Sequence, residues 1–354
     1  MKCGTRSLAV LGALALSAMG LVPAAWAADM SQLGEVEASQ SGAAQIEGAQ
    51  TQSGAVQPEQ PTQPAEPSVP ASSAQSGEAS PGLVDTPIPD IQAVGAGDDS
   101  AMVGATVTTV GVVTAAYPAA ESGLGATLDG YTIQSPGSGG AWEPGRTRSD
   151  GLFVYADKKG EIPAPGTCVR VTGTVGEFPA TSAKGNPQSL TQLAATSVSV
   201  VEGCQAPMPV PATRVPTPDE AEALESMLLA PQGTWTITDN YQTNQYGTLT
   251  LTPGESPLRS ATDVVAPGQA ARDYEAANAA RAIVLDDGTN TNLLKGAAAE
   301  AAYAYLANGS PARVGYHVAF AKPVVLEPRH GSFVFQPTSM VAGHPDRSPV
   351  TITG

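Results

Sequence analysis

Cysteine, histidine and basic side chains are scarce in this 354-residue chain: 3 Cys, 3 His, and 17 Lys plus Arg against 33 Asp plus Glu. So few Cys and His, at unsuitable spacings, exclude a zinc ribbon or a multi-histidine metal centre. The formal charge of −16 excludes a surface that wraps duplex DNA, because such binding draws on counterion release by Lys and Arg. A local basic patch or a bridging divalent cation is the route to nucleic acid that remains open. Aromatic residues make up only 5%, whereas there are 38 Gly and 31 Pro. That balance favours turns and short strands over long helical bundles.

The N-terminus carries Lys2 and Arg6, then an apolar run of 15 residues from Leu8 to Val22, then Ala25-Trp26-Ala27. A charged start, an apolar middle and a small-x-small site read as a cleaved secretory signal over 1–27. The run is shorter than the roughly 20 residues needed to cross a bilayer. The expectation is a secreted or cell-surface-exposed protein with no membrane span after cleavage. Residues 28–84 hold seven acids, no Lys or Arg and no aromatic ring, among repeated Gln, Ser, Pro and Ala. Such a segment buries too little apolar surface to offset chain entropy and reads as a disordered acidic spacer.

The folded part is expected to be mainly β. Residues 85–205 show five short bursts of apolar-polar alternation between Gly and Pro: Thr106 to Thr114, Tyr131 to Gln134, Leu152 to Tyr155, Val169 to Val175, and Leu190 to Val201. The first and fourth superpose on a central glycine, Gly111 and Gly173, and a glycine inside a strand marks a bulge or barrel corner. Long bent strands at positions one and four predict an OB-fold-like five-stranded barrel. Cys168 and Cys204, the two cysteines left after signal removal, are expected to bridge in an oxidising compartment, with a free thiol as the alternative.

Residues 201–215 read as a connector. Residues 206–345 then read as a second β-rich, OB-like domain with helical insertions, and 346–354 as a tail. Thr217-Pro218-Asp219-Glu220 is a capping box expected to open a helix through Ala221 to Leu229. Strands are expected at 234–238, 248–252, 282–286, 314–325 and 332–336, and helices at 269–280 and 294–306.

Candidate chemistry is sparse. His317, His330 and His344 sit in no paired or triad-like context and read as structural or exposed. Asp286-Asp287-Gly288 follows an apolar run; paired acids at a strand end can hold calcium or another divalent cation, but Asp-Gly is also a tight-turn signal. Asp129-Gly130 and Asp150-Gly151 are turns of the same kind. Nucleotide-binding glycine loops and the common serine-nucleophile motifs are missing from the sequence. A single-strand binding face needs rings for stacking and cations along a groove, and Tyr131, Phe153, Tyr155, Arg170 and Phe178 fall on the strands that would supply it. The same rings suit the interior of a barrel, which is the favoured reading.

Several ordered segments resemble a known family. Val107 to Thr114, Ile133-Gln134, the run from Ser149 to Tyr155, the run from Val169 to Phe178 and Leu190 to Leu193 resemble the N-terminal OB-fold-like region of the ExeM/NucH family of extracellular endonucleases. Thr238-Asp239-Asn240-Tyr241, Tyr246-Gly247, Asn278 to Arg281, Ile283 to Gly288 and Gln336-Pro337-Thr338 extend the resemblance over about 88–341. It implies an exported, metal-dependent nuclease with catalysis in a following endonuclease/exonuclease/phosphatase domain. Only sixteen residues follow Thr338, and the motifs of that domain do not occur, so no catalytic residue carries over. The resulting expectation is a non-catalytic region that binds or positions extracellular DNA or RNA, working with a separately encoded nuclease domain. The alternatives are a truncated or split endonuclease and a cell-surface or carbohydrate-binding β module.

Overall fold

The computed structural model describes residues 84–95, 99–118, 128–157, 160–178, 189–295, 304–306, 311–329 and 331–354. The stretch 1–27 read as a secretory signal, the stretch read as a spacer up to residue 83, His330 and most of the helix expected over 294–306 lie outside the described residues. No described helix is long and apolar enough to cross a membrane.

Five strands close the first barrel: β1 (Thr106–Tyr117), β2 (Gly130–Gln134), β3 (Gly151–Tyr155), β4 (Cys168–Phe178) and β5 (Leu190–Val200), in the order β1-β2-β3-β5-β4. All neighbours are antiparallel except β3 and β5, which run parallel. β1 serves two partners, pairing β4 from Thr106 to Val112 and β2 from Val112 to Tyr117. The alternation in β4 explains its faces: Val169, Val171 and Val175 enter the core, while Arg170 and Thr174 are exposed. A short helix, α1 (Ile88–Ile91), adds Ile88 and Ile91 to the same core. Gly173 sits where the β4–β5 register shifts, and a Cβ there would come 2.4 Å from the Ala194 carbonyl oxygen. The extra residue at that shift is Thr196 of β5, so the bulge lies in β5 opposite Gly173 and not in β4, whereas β1 is itself bulged between Val113 and Ala115, just past Gly111.

The chain continues through β6 (Val210–Ala212), α2 (Pro218–Glu222), β7 (Leu228–Pro231), β8 (Trp235–Asp239), α3 (Thr243–Tyr246), β9 (Leu249–Pro253), α4 (Gln269–Ala279), β10 (Ile283–Leu285), β11 (His317–Phe320), β12 (Val324–Arg329), β13 (Ser332–Pro337) and β14 (Val350–Thr353). These nine strands form one curled sheet, ordered β14-β11-β8-β9-β10-β13-β12-β7-β6. Its central run repeats the first barrel. β7 pairs β12 and β8 pairs β9, as the two halves of β1 pair β4 and β2, and residues 232–234 join β7 to β8. β10 pairs β9 antiparallel and β13 parallel, as β3 pairs β2 and β5. The second unit is thus the same strand order with its first strand interrupted, extended by β11 and β14 on one side and β6 on the other.

Several elements depart from the sequence expectation, among them β6, a strand paired with β7 inside the stretch 201–215 that reads as a connector. The capping box forms, with the Thr217 N–H donating to Glu220 Oε2 at 2.9 Å, but α2 ends at Glu222. Ser226 turns the chain through a left-handed conformation (φ 57°), and Leu228 and Leu229 pair with Val325 and Val324 as strand; sheet pairing overrides local helix preference. The stretch 314–325 is split at 321–323 into β11 and β12. Residues 346–354, read as a tail, contain β14, which pairs along β11.

Cys168 and Cys204 are bridged, with Cα atoms 6.0 Å apart, tying the start of β4 to the connector. Opening a loop of sequence separation 36 is expected to cost roughly 3–4 kcal/mol in the chain-entropy account. Denaturant unfolding of Cys204→Ser beside the oxidised protein checks this; coincident midpoints would refute it.

Candidate functional site

In an OB-type barrel, ligands lie on the outer face of the second and third strands and the adjoining loops. Here that face is buried. All five residues of β2 are buried, and so are Gly151 to Val154 of β3. A strand with one face in solvent alternates; one covered on both sides does not. The cover is the second, curled sheet. Leu228 and Val325 pack with Ala115, Tyr117, Leu128, Phe153 and Leu190 in one apolar cluster. Polar bonds fix the register: the Leu228 N–H donates to Gln134 Oε1 at 2.9 Å, and the Tyr117 hydroxyl donates to the Pro337 carbonyl at 2.9 Å. Gly151 is required by this contact, since a Cβ there would lie 2.3 Å from the Ser226 carbonyl.

This arrangement disperses the residues selected for a stacking face. Tyr131 is inside the first barrel core, where burial holds its hydroxyl well above the ordinary phenol range. Phe153 is buried between the barrels with the Arg329 guanidinium 5.7 Å from its ring centroid, and Tyr155 packs half-buried beside it. Arg170 is exposed but held by Asp85 in a two-pronged ion pair at 2.9 and 2.7 Å. Phe178 alone of the five presents an open ring, 52% exposed. Alternation did place Phe153 and Tyr155 on one face; what sequence spacing did not reveal is that the second sheet covers it.

The paired acids lie at the margin of the same seam. Asp286 Oδ2 accepts from Gln336 Nε2 at 2.6 Å, and the Tyr305 hydroxyl donates to the Asp286 carbonyl. Asp287 Oδ1 accepts from the N–H and hydroxyl of Thr289 at 2.9 and 3.0 Å, so the Asp-Gly step closes a local turn and does not link a hairpin. Burial raises both carboxyl pKa values, and the neighbouring Asp286 charge adds to the effect on Asp287. A calcium site needs six to eight oxygens. Among the described residues no cluster of three or more His, Cys, Asp or Glu side chains is placed to hold a metal ion, and Asp287 Oδ2 is packed against Gly247.

Deeper in the seam, Glu327 and Arg329 lie two residues apart on β12 and so share its outer face. Arg329 donates to Glu327 Oε2 at 2.8 Å with both side chains nearly inaccessible. Burial raises the Glu327 carboxyl pKa, and Arg329 partly offsets that. Glu327 Oε1, Arg329 Nε, Gln336 Oε1 and Asp287 Oδ2 find no hydrogen-bond partner among the described residues. Unpaired buried polar atoms of this kind are costly.

The accessible counterpart lies on the second sheet. Its first-to-second-strand connection, between β8 and β9, carries Tyr241, whose ring is 80% exposed. The turn is held from both sides: the Tyr241 N–H donates to Asp239 Oδ1 at 2.8 Å, and Asn240 Nδ2 donates to the Ala312 carbonyl at 2.7 Å. Arg313, exposed, follows Ala312 directly. Sequence reasoning placed Tyr241 in a motif but gave it no role, because its exposure depends on which strand β8 continues. His317 on β11 lies 3.3 Å from the Glu255 carbonyl, and among the described residues it belongs to no cluster that could hold a metal ion.

No protein-family model, curated protein or solved structure matches the chain.

Proposed function

We propose that the folded region is a non-catalytic module that holds and positions extracellular nucleic acid for a nuclease acting beside it, in the manner of the exported endonucleases that its ordered motifs resemble. The observation that carries the reading is the strand order with a parallel third and fifth strand, present in both units; barrels of this order host oligonucleotides on their first-to-second-strand loops. With the first barrel's face covered, the contact falls to the second barrel, where Tyr241 offers a stacking ring and Arg313 a cation. Asp286 and Asp287 have no part in it, and any cation bridging the acidic surface binds elsewhere.

The test is fluorescence anisotropy of the purified chain with single-stranded DNA and RNA, with and without millimolar calcium. Binding is expected to weaken with salt and to fall about fivefold to a hundredfold in Tyr241→Ala, the range of one lost base stack. No binding in any condition, or plasmid digestion abolished by a chelator, would overturn the reading.

A carbohydrate ligand is the second reading, because such barrels also take oligosaccharides. It is favoured by the ion pairing of the basic side chains: Arg146, Arg148, Arg170, Arg214 and Arg329 are all engaged by carboxylates. A glycan array run beside the anisotropy measurement separates the two.

A further inference from the structure

The seam contains a second group of acids, which neither ligand reading uses. Glu225, three residues beyond α2, is fully buried against the first barrel. Its Oε1 accepts from the Thr191 N–H at 3.0 Å and from Gln92 Nε2 at 3.2 Å. Its backbone carbonyl accepts from the Ser149 hydroxyl. Glu177, on β4, accepts through Oε1 from the Ser100 N–H at 2.8 Å and from the Thr191 hydroxyl at 3.0 Å. Thr191 therefore donates to both carboxyl groups, its N–H to one and its hydroxyl to the other. That places the two acids on either side of a single β5 residue. In each, Oε2 is buried and has no partner among the described residues.

Among the described residues, the charged groups that act on the pair are all acidic. Glu222 on α2 and Glu177 on β4 act on Glu225, and Asp99, in the segment before β1, acts on Glu177. The other contacts are the neutral donors Gln92, Ser100, Ser189 and Thr191. Burial first, and these like charges second, raise the pKa values of both groups. A fully buried and a half-buried carboxyl that share a donor, with no cation beside them among the described residues, resist simultaneous ionisation.

We propose that Glu225 and Glu177 form a proton-dependent latch between the barrels, closed while the pair retains a proton and released when both ionise. The unpartnered Oε2 atoms are the places for that proton. Release would withdraw Glu225 from Thr191 and Gln92 and loosen the segment leading to Leu228, whose N–H is bonded to Gln134. The sign follows from the elevated pKa values. Below the ordinary carboxyl range the closed form carries no penalty. As pH rises from there towards the elevated values, closure becomes less favourable by up to tenfold in its equilibrium constant per proton and pH unit.

Hydrogen exchange of the full chain between pH 5 and pH 9, corrected for intrinsic rates, reads the latch at the Thr191 and Leu228 amides, with Leu251 in the second core as a control for global unfolding. In the unmodified protein, protection at Thr191 and Leu228 is expected to fall with pH over at least part of this range while Leu251 holds. Glu225→Gln should flatten the profile. Glu177→Gln, which leaves the Glu225 contacts in place, gives the same test if the first variant folds poorly. Equal slopes in the unmodified protein and both variants, or protection rising with pH, would overturn the latch. So would restoration of protection by millimolar calcium at pH 8, which would assign the oxygens to a cation. None of these outcomes depends on whether nucleic acid binds.

Discussion

Arg329→Met is expected to destabilise the protein by roughly 3–5 kcal/mol, the usual cost of removing one partner of a buried ion pair. Glu327, on the same face of β12, is left without the guanidinium that now compensates it, and Phe153 loses its cation. The loss should grow with pH. Burial already raises the Glu327 pKa and Arg329 opposes that, so without Arg329 the acid is held higher still. Its ionisation penalty is absent below the ordinary carboxyl range and accumulates as pH rises above it. Denaturant unfolding at pH 4.5 and pH 8 should therefore show a larger deficit at pH 8. The double variant Glu327→Gln, Arg329→Met should recover most of it, since replacing a whole buried pair is often close to neutral. A deficit independent of pH, or no recovery in the double variant, would show that packing against Phe153 is the term that matters.

Trp235→Ala is expected to cost a comparable 3–5 kcal/mol, with a fall in Tm on the order of 10 °C. Trp235 is fully buried at the start of β8 and meets Phe335 of β13 and Phe320 of β11 edge-on, at 5.5 and 6.0 Å between ring centroids. It joins the added strand β11 to the central run of the second barrel, so its truncation opens a cavity shared by three strands. Trp235→Phe, which keeps an aromatic edge in place, should cost clearly less. If calorimetry finds the two variants equal, the cavity account fails.

The first barrel was readable because its signals are local. Val169 to Val175 alternates cleanly, Gly173 marks where β4 lies against the bulge of β5, and Gly-bounded bursts give five strands of the right relative length. The second sheet was harder because its first strand is cut at 232–234, and the half that precedes the cut lies in a stretch whose capping box and Ala-Glu-Leu composition favour helix. Pairing with Val324 and Val325, about a hundred residues later, decides that conformation, and no window of local sequence contains it. The surroundings of the candidate stacking residues were hidden for a similar reason. Alternation assigned Phe153 and Tyr155 to one side of β3 but cannot say what occupies that side. The acids at 286, 287, 225 and 327 acquire their character from burial between the units, so a carboxylate on a turn and one in a seam look alike in sequence.

The covering of β2 and β3 also sets an order of events during synthesis. The first barrel is complete in sequence at Val200, but Phe153, Leu190 and Tyr117 stay uncovered until Leu228 and Val325 have emerged, and Tyr117 waits for Pro337, 220 positions away. Contacts so distant along the chain form slowly, and an apolar surface exposed meanwhile is open to capture by other chains. The nascent polypeptide therefore passes through a stage in which its earliest-made module is folded inside but unfinished outside, a stage at which a chaperone would find its substrate.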